Sequence, residues 1–494
     1  MRFRLPEQAS LCRSDTLEVT LLDGGSRGWR AILDSGMAGR LALLCFGVWL
    51  HAADGLMVAT IIPAIVSDIG GATLIAWTFA LYEVGSIVAG AASALVVMKL
   101  GLRVAMSAAG LLYMLGCIVS AASTEMPIML TGRLVQGFGG GSLVALSFVS
   151  VVRLFPRELV PRAMAAMSLV WGVSAFSGPL VGGLFAQLGF WRGAFLFFAL
   201  QAAALSFWIF KALGDERASP SQAQGARFPG WRLGALSLGV VSIASAGIDV
   251  ALPRSAICVA LGIGLLLLFL ILDSRQTTHR LLPRRPLDPR DGVGAALLMV
   301  FCFTAATIAI SVYGPILMTL LLGASPLEAG YVLALSSIGW SVLAIATASA
   351  RERYDGALIL GGMCVLTASI VGFVVAVPNG PLGLIALFAF LEGAGFGMAW
   401  TFILRKATSM AVADERDRIA SALPTIQRLG YAVGASYMGI VANVLGFSDD
   451  LGSGIARSVA FWIFVLCLPL AAVGLAAGIA FVRHGRSHHR IAAS

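Results

Sequence analysis

Charge is what this chain has least of. Of its 494 residues 12% are Asp, Glu, Lys or Arg, against ~25% in ordinary globular proteins. That is too little charge to clothe a water-exposed surface, and it excludes a soluble globular fold. The strands of a membrane barrel, which alternate apolar and polar side chains over ~10 residues, are also missing; runs such as 261–272 are apolar without a break. Cysteine is present without pattern. Cys45, Cys117, Cys302, Cys364 and Cys467 fall inside apolar runs, Cys258 lies near the start of another, Cys12 is near the N-terminus, and none belongs to a CxxC pair. Neither a disulfide framework nor a zinc site is supported. No HExxH, Walker A or GxSxG sequence occurs, so metal, nucleotide and hydrolase chemistry have no carrier; no enzyme, cofactor or bound metal is expected.

What is present is apolar length. Hydrophobic residues make up 59% of the chain, and runs of about 20 recur from end to end, the signature of helical membrane spans. The fold class is therefore an all-α polytopic membrane protein with about 14 transmembrane helices, read at roughly 41–66, 73–97, 104–122, 127–150, 164–187, 193–212, 231–249, 255–273, 292–322, 328–349, 357–377, 382–404, 419–445 and 458–482. The net charge of +9 would suggest nucleic acid in a soluble protein; here the basic residues sit in short loops and report orientation instead. With the N-terminus inside, inner loops hold Lys99, Arg103, Arg153, Arg157, Arg162 and many more, whereas outer loops hold only Arg192, Arg254 and Arg457. This predicts a multi-pass protein of the cytoplasmic membrane with both termini cytoplasmic. The first ~36 residues are polar, with no apolar core of a signal peptide; they read as a disordered cytoplasmic tail, with a translation start at Met37 as the alternative.

Two polar breaks, 213–230 and 274–291, divide the chain. The expected organisation is an N-terminal tail (1–40), a six-helix bundle (41–212), a linker region with two extra spans free of embedded charge (213–291), a second six-helix bundle (292–482) and a basic tail (483–494), RHGRSHHR at its start, facing lipid. The run 292–322 is long for one crossing and contains Gly314-Pro315, which predicts a kink or, as in interrupted transporter helices, a break.

Against this background five charges stand out in mid-span: Asp54, Glu83, Arg133, Glu392 and Arg428. Each costs at least ~2.5–3.5 kcal/mol at a bilayer centre, so such residues line polar paths or pair. At ~1.5 Å per helical residue, Asp54 is ~21 Å from the inner end of its span, Glu83 ~15 Å and Arg133 ~10 Å from the outer ends of theirs. One layer in the outer half of the bilayer accommodates all three, as Asp54–Arg133 or Glu83–Arg133. His51, at i−3 from Asp54, shares its helix face. Glu392 lies mid-depth, and Arg428 ~14 Å into its span; Glu392 is read either as a partner of Arg428 or as a site for a cationic substrate.

The motifs resemble a known family. Asp54 leading to Pro63 in DGLMVATIIP, GRLVQGFGGG with Arg133 and Gln136, GVSAFSGPLVGG from Gly172 to Gly183, and Trp191-Arg192 followed by Phe195 together resemble the major facilitator superfamily, and within it the fourteen-helix drug:proton antiporter branch. SPLEAG (325–330) and QRLGYAVG (427–434) resemble family features of the second half. One departure stands out: the loop between the second and third spans keeps Lys99, Gly101 and Arg103 as a cytoplasmic gating loop but carries Met98 where the family has Asp. Either gating differs or another acidic residue substitutes. In the antiporter motif Gly178 and Gly182, and Pro179 and Gly183, are spaced i, i+4 and leave a smooth face for close helix packing; Gly172 begins the motif.

The resemblance implies a secondary active exporter driven by protons, with small amphipathic or cationic compounds as substrate and the bilayer as its medium; nucleic acid is not a partner, and a monomer is expected. Burial disfavours a carboxylate's charge and a nearby Arg favours it, so a carboxyl whose access to Arg133 changes can load and release a proton. Asp54 and Glu83 are the coupling candidates, against a static salt bridge that locks three helices. Trp49, Trp77, Tyr82 and Trp400 are aromatic candidates for ligand contact, and packing residues otherwise. Export of a specific metabolite or siderophore, and a non-transporting membrane sensor, are the alternatives.

Overall fold

The computed structural model describes residues 36–156, 158–214, 228–248, 250–276, 280–411, 413–447 and 452–492. The N-terminal tail expected at 1–40, with the Met37 alternative, falls almost wholly outside them. Fourteen long helices follow one another and no strand is found among the described residues. They are α1 Ala38–Ile69, α2 Ile75–Leu100, α3 Leu102–Ala121, α4 Met126–Leu154, α5 Val160–Gln187, α6 Trp191–Ala212, α7 Gly230–Ser245, α8 Leu252–Ser274, α9 Gly292–Leu322, α10 Pro326–Thr347, α11 Asp355–Asn379, α12 Leu382–Ser409, α13 Ala413–Val444 and α14 Ser453–Ala492.

Twelve of these are long and apolar enough to cross a membrane, fewer than the fourteen spans expected. The exceptions are α7, of 16 residues, and α13, whose apolar run is interrupted by Gln427, Arg428 and Asn443. Local chemistry sets several ends. Gly101, at φ 79°, is the whole connection between α2 and α3, a conformation that costs glycine little. SPLEAG is a capping box: Ser325 Oγ accepts from the Glu328 N–H at 3.3 Å, and Glu328 accepts from the Ser325 N–H at 2.8 Å, with Pro326 in the first turn where no N–H is needed. Through Gly314-Pro315, α9 stays one continuous helix, so a break is excluded. At the C-terminus α14 remains helical to Ala492 rather than ending with the apolar run at 482.

The halves repeat one packing scheme. In the first, α3 lies on α4 and α6, α2 on α4, and α1 on α5; in the second, α11 lies on α12 and α14, α10 on α12, and α9 on α13. The halves meet through α5 against α10 and α2 against α13, the same contact with roles exchanged. Helix α8 forms a hairpin with α7 and exposes Leu252, Ile257 and Leu261, as lipid-facing side chains require, while α7 touches α2 and α13. The extra pair is not free of embedded charge. Arg232 and Asp273, both buried, pair at 2.5 Å, and Asp273 also accepts from the N–H groups of Leu281 and Leu282 at 3.0 and 2.9 Å. Both sit at span ends, where hydropathy averages hide them.

Candidate functional site

Asp54 is fully buried on α1, and both its carboxylate oxygens accept hydrogen bonds. Arg133 of α4 donates to Oδ2 at 2.7 Å, while Gln136 Nε2 and the Tyr113 hydroxyl each donate to Oδ1 at 3.1 Å. Gln136 Oε1 accepts from Arg133 and Ser120 at 3.2 and 3.1 Å, and Nε2 also reaches Cys117 Sγ at 3.1 Å. Arg133 Nε donates to the Thr78 carbonyl at 3.3 Å, and its guanidinium lies 4.3 Å from the centre of the Tyr82 ring. A buried ion pair needs further hydrogen bonds to offset its desolvation, and Gln136, Tyr113 and the Thr78 carbonyl supply them here. The α3 contribution is new: Tyr113, Cys117 and Ser120 are spaced i, i+4, i+7, one helix face, a signal available in the sequence.

Of the two pairs the depth estimate allowed, Asp54–Arg133 forms. Glu83 instead turns to the other half, where Arg428 of α13 lies 3.3 Å from its carboxylate. Arg428 also donates to Ser86 Oγ and, at 3.0 Å, to His51 Nε2. Arginine only donates, so Nε2 is the acceptor and the His51 proton sits on Nδ1, 2.7 Å from the Tyr82 hydroxyl. That tautomer is assigned from partners, and it leaves His51 neutral: an imidazolium has no lone pair for Arg428. A continuous polar chain thus runs Glu83, Arg428, His51, Tyr82, and through the Tyr82 ring to Arg133 and Asp54. Glu83 and Arg428 keep 18% and 20% of their side-chain surface exposed, unlike the sealed Asp54–Arg133 pair.

Arg428 being so engaged, Glu392 does not pair with it. Glu392 is buried at 5% exposure, makes no ion pair among the described residues, and has Ser336 of α10 as its hydrogen-bond neighbour. The aromatic candidates separate. Trp49 donates to Ser177 Oγ at 2.8 Å and stacks on Phe198 at 5.3 Å, which makes it a packing residue between α1, α5 and α6. Trp77 is half-buried against the core. Tyr82 belongs to the polar chain, and Trp400 joins Trp340 and Phe396 in a cluster the sequence reading missed.

The antiporter motif does not present one smooth face to one neighbour. A Cβ on Gly178 or Gly182 would lie 2.7 or 2.8 Å from the carbonyls of Ala53 and Met57 on α1, whereas one on Gly183 would strike Leu327 of α10 at 2.7 Å. Pro179 abuts Gly330 of α10, and Gly172 faces Ser341 across a looser gap. The motif therefore packs α5 within its half and against the other half at once. At the same outer end Asn443 Nδ2 donates at 2.9 Å to both the Thr73 and Gly247 carbonyls, and Gly439 abuts Ala76. These contacts join the outer ends of the two halves. At the inner end Lys99 is exposed and Arg103 lies over the Phe210 ring, while the second half has an ion pair of its own, Asp355 of α11 accepting from Arg405 Nε at 3.1 Å.

The sequence matches the Major Facilitator Superfamily over residues 44–435. A Mycobacterium tuberculosis protein named "Probable multidrug-efflux transporter" is 30% identical over 427 residues, covering 84% of this chain and 89% of the relative. The multidrug efflux pump SdrM of Staphylococcus aureus is 22% identical over 408 residues, 79% and 87% of the two chains. Among solved structures, a peptide transporter POT in complex with sulfate superposes with a TM-score of 0.62 at 15% identity, covering 90% of this chain and 95% of that one. Two repeated six-helix halves, the buried charge network and these matches agree: the chain belongs to the Major Facilitator Superfamily, as a multi-pass secondary transporter of the cytoplasmic membrane.

Proposed function

We propose that the protein exports small amphipathic or cationic compounds in exchange for protons. The observation that carries this is the polar chain from Asp54 to Arg428, because it ties a buried carboxylate to the contact between the halves. His51 accepts from Arg428 only while neutral, so a proton on His51 and the Arg428 contact exclude each other. The groups that face His51 are Tyr82 of α2, Arg133 of α4, Arg428 of α13 and the Trp171 ring of α5; two of them are cations, which makes its protonation and the departure of Arg428 one event. Asp54 holds Arg133 while ionised and releases it when protonated, by the same logic. A carrier needs such a bistable element to convert proton occupancy into a change of access. The relatives named for multidrug efflux support the export direction and the breadth of substrate.

Proteoliposomes with an imposed pH gradient, tested over cationic, neutral amphipathic and metabolite-like compounds, test the reading. Wild type is expected to accumulate cations or amphipaths when the gradient is applied and to stop when it is collapsed. Asp54→Asn is expected to lose gradient-driven movement while counterflow without a gradient persists. His51→Gln, whose amide still accepts from Arg428, is expected to flatten the pH profile at retained maximal rate. Gradient-driven transport intact in both Asp54→Asn and Glu83→Gln would falsify the coupling role.

A further inference from the structure

The repeat within the fold places Glu392 where the first half has Gln136. Helix α4 passes α2 at Gly137 and Gly141, which face Tyr82 and Ser86 so closely that a side chain would strike them. Helix α12 passes α10 in the same way, Gly393 facing Ser336 and Gly397 facing Trp340. The residue before the first glycine of each pair is therefore equivalent: Gln136, a neutral amide that steadies an Asp–Arg pair, and Glu392, a carboxylate. In the same register Ala389, fully buried, stands where Arg133 stands.

Among the described residues no cation pairs with Glu392. Ser336 of α10, Tyr431 of α13 and Cys467 of α14 are its polar neighbours. Helix α9 carries no Asp, Glu, Lys, Arg or His, and the acidic residue of α11, Asp355, is at its inner end with Arg405. A lone carboxylate at this depth is costly when ionised; it calls for a proton or a positive ligand. One turn along α10 and α12, the Trp340 ring stacks on Phe396 at 5.6 Å and meets Trp400 at 5.8 Å. Aromatic faces beside a carboxylate are what a desolvated organic cation needs.

We propose that Glu392, with Trp340, Phe396 and Trp400, forms a site in the second half that holds either one proton or the positive charge of a lipophilic organic cation. Exchange balances: when the cation arrives, the carboxyl O–H bond breaks, the carboxylate keeps the electron pair, and the proton leaves to water on the side then open. The site deepens the proposed export reaction and rests on it for direction of transport, while cation binding and proton release stand apart from it.

The test uses the full chain in detergent, with tetraphenylphosphonium as the cation and triphenylphosphine oxide as its neutral analogue. Binding is measured by equilibrium dialysis, and proton release with an indicator in weak buffer. Wild type is expected to bind the cation and release protons. Glu392→Gln is expected to bind it at least about tenfold more weakly, a loss of ~1.4 kcal/mol, and to release none, with binding of the neutral analogue unchanged. Glu392→Asp is expected to restore release, and Trp340→Leu to weaken binding while keeping the protons released per bound cation. If Glu392→Gln does not fold, the Glu392→Asp and Trp340→Leu results decide: wild-type affinity in Trp340→Leu overturns the site. Wild-type affinity and release in Glu392→Gln likewise overturn it. Asp54→Asn and Glu83→Gln separate the two readings, since the proposed coupling fails if both variants still transport on a gradient, whereas cation-driven proton release at Glu392 persists in them.

Discussion

In the first half of the fold Asp54 and Arg133 neutralise each other at 2.7 Å with Gln136 and Tyr113 also donating to the carboxylate, whereas in the second half Glu392 lies almost as deep with no cation paired to it among the described residues. The scaffold is the same in both, down to the glycine pairs that let α4 and α12 approach their neighbours. On the two equivalent helices α4 and α12 the charges are exchanged: Gln136 against Glu392, and Arg133 against Ala389. A paired carboxylate is quiet until its partner moves, so it suits a switch. A lone one responds to whatever positive species reaches it, so it suits a site. Between them, Arg428 reaches from the second half into the first and is held by Glu83, Ser86 and His51.

The largest effect is expected for Asp54→Asn, which should lower gradient-driven transport about 100-fold or more, the scale of ~2.7 kcal/mol at 1.4 kcal/mol per decade; a Glu392→Gln protein should keep transporting neutral amphipaths. Arg133→Met leaves the buried Asp54 with only the neutral donors Gln136 and Tyr113 and should cost ~3–5 kcal/mol of stability, read as a fall in thermal midpoint followed by a thiol-reactive dye. Pairing it with Asp54→Asn should recover much of that loss, and simple additivity would show that the two residues are not coupled. Arg428→Met acts on a partly exposed pair, so about 1–2 kcal/mol is expected, with cross-linking between α2 and α13 as a second readout. Asp355→Asn removes the charge from a buried carboxylate whose Arg405 partner is about a third exposed, so about 1 kcal/mol is expected; a loss of several kcal/mol would mean that the Asp355–Arg405 pair holds the inner end together.

How much of this was legible beforehand differs from residue to residue. Helix positions were readable because a bilayer demands about 20 apolar residues per crossing, and the expected span at 292–322 coincides with α9. Arg232 and Asp273 were overlooked because a span average does not register charges at its ends. The pairing of Asp54 with Arg133 was one of two that depth allowed, and depth alone does not separate them, since 1.5 Å per residue fixes height but not azimuth. Glu83 was assigned to the same layer but faces Arg428. The Trp340 cluster escaped notice because its members come from two helices whose relative rotation no one-dimensional pattern records.

Apolar periodicity and the placement of basic loops by themselves determined that this is a helical membrane protein, roughly where each helix lies, and which few charges sit too deep to be accidental, because the energy of a backbone or a charge in hydrocarbon depends on local sequence. Which of those charges meet was decided only by tertiary structure. Close glycine contacts set the rotation of each helix about its axis, and a rotation of one residue, about 100°, turns an ion pair into a lone carboxylate.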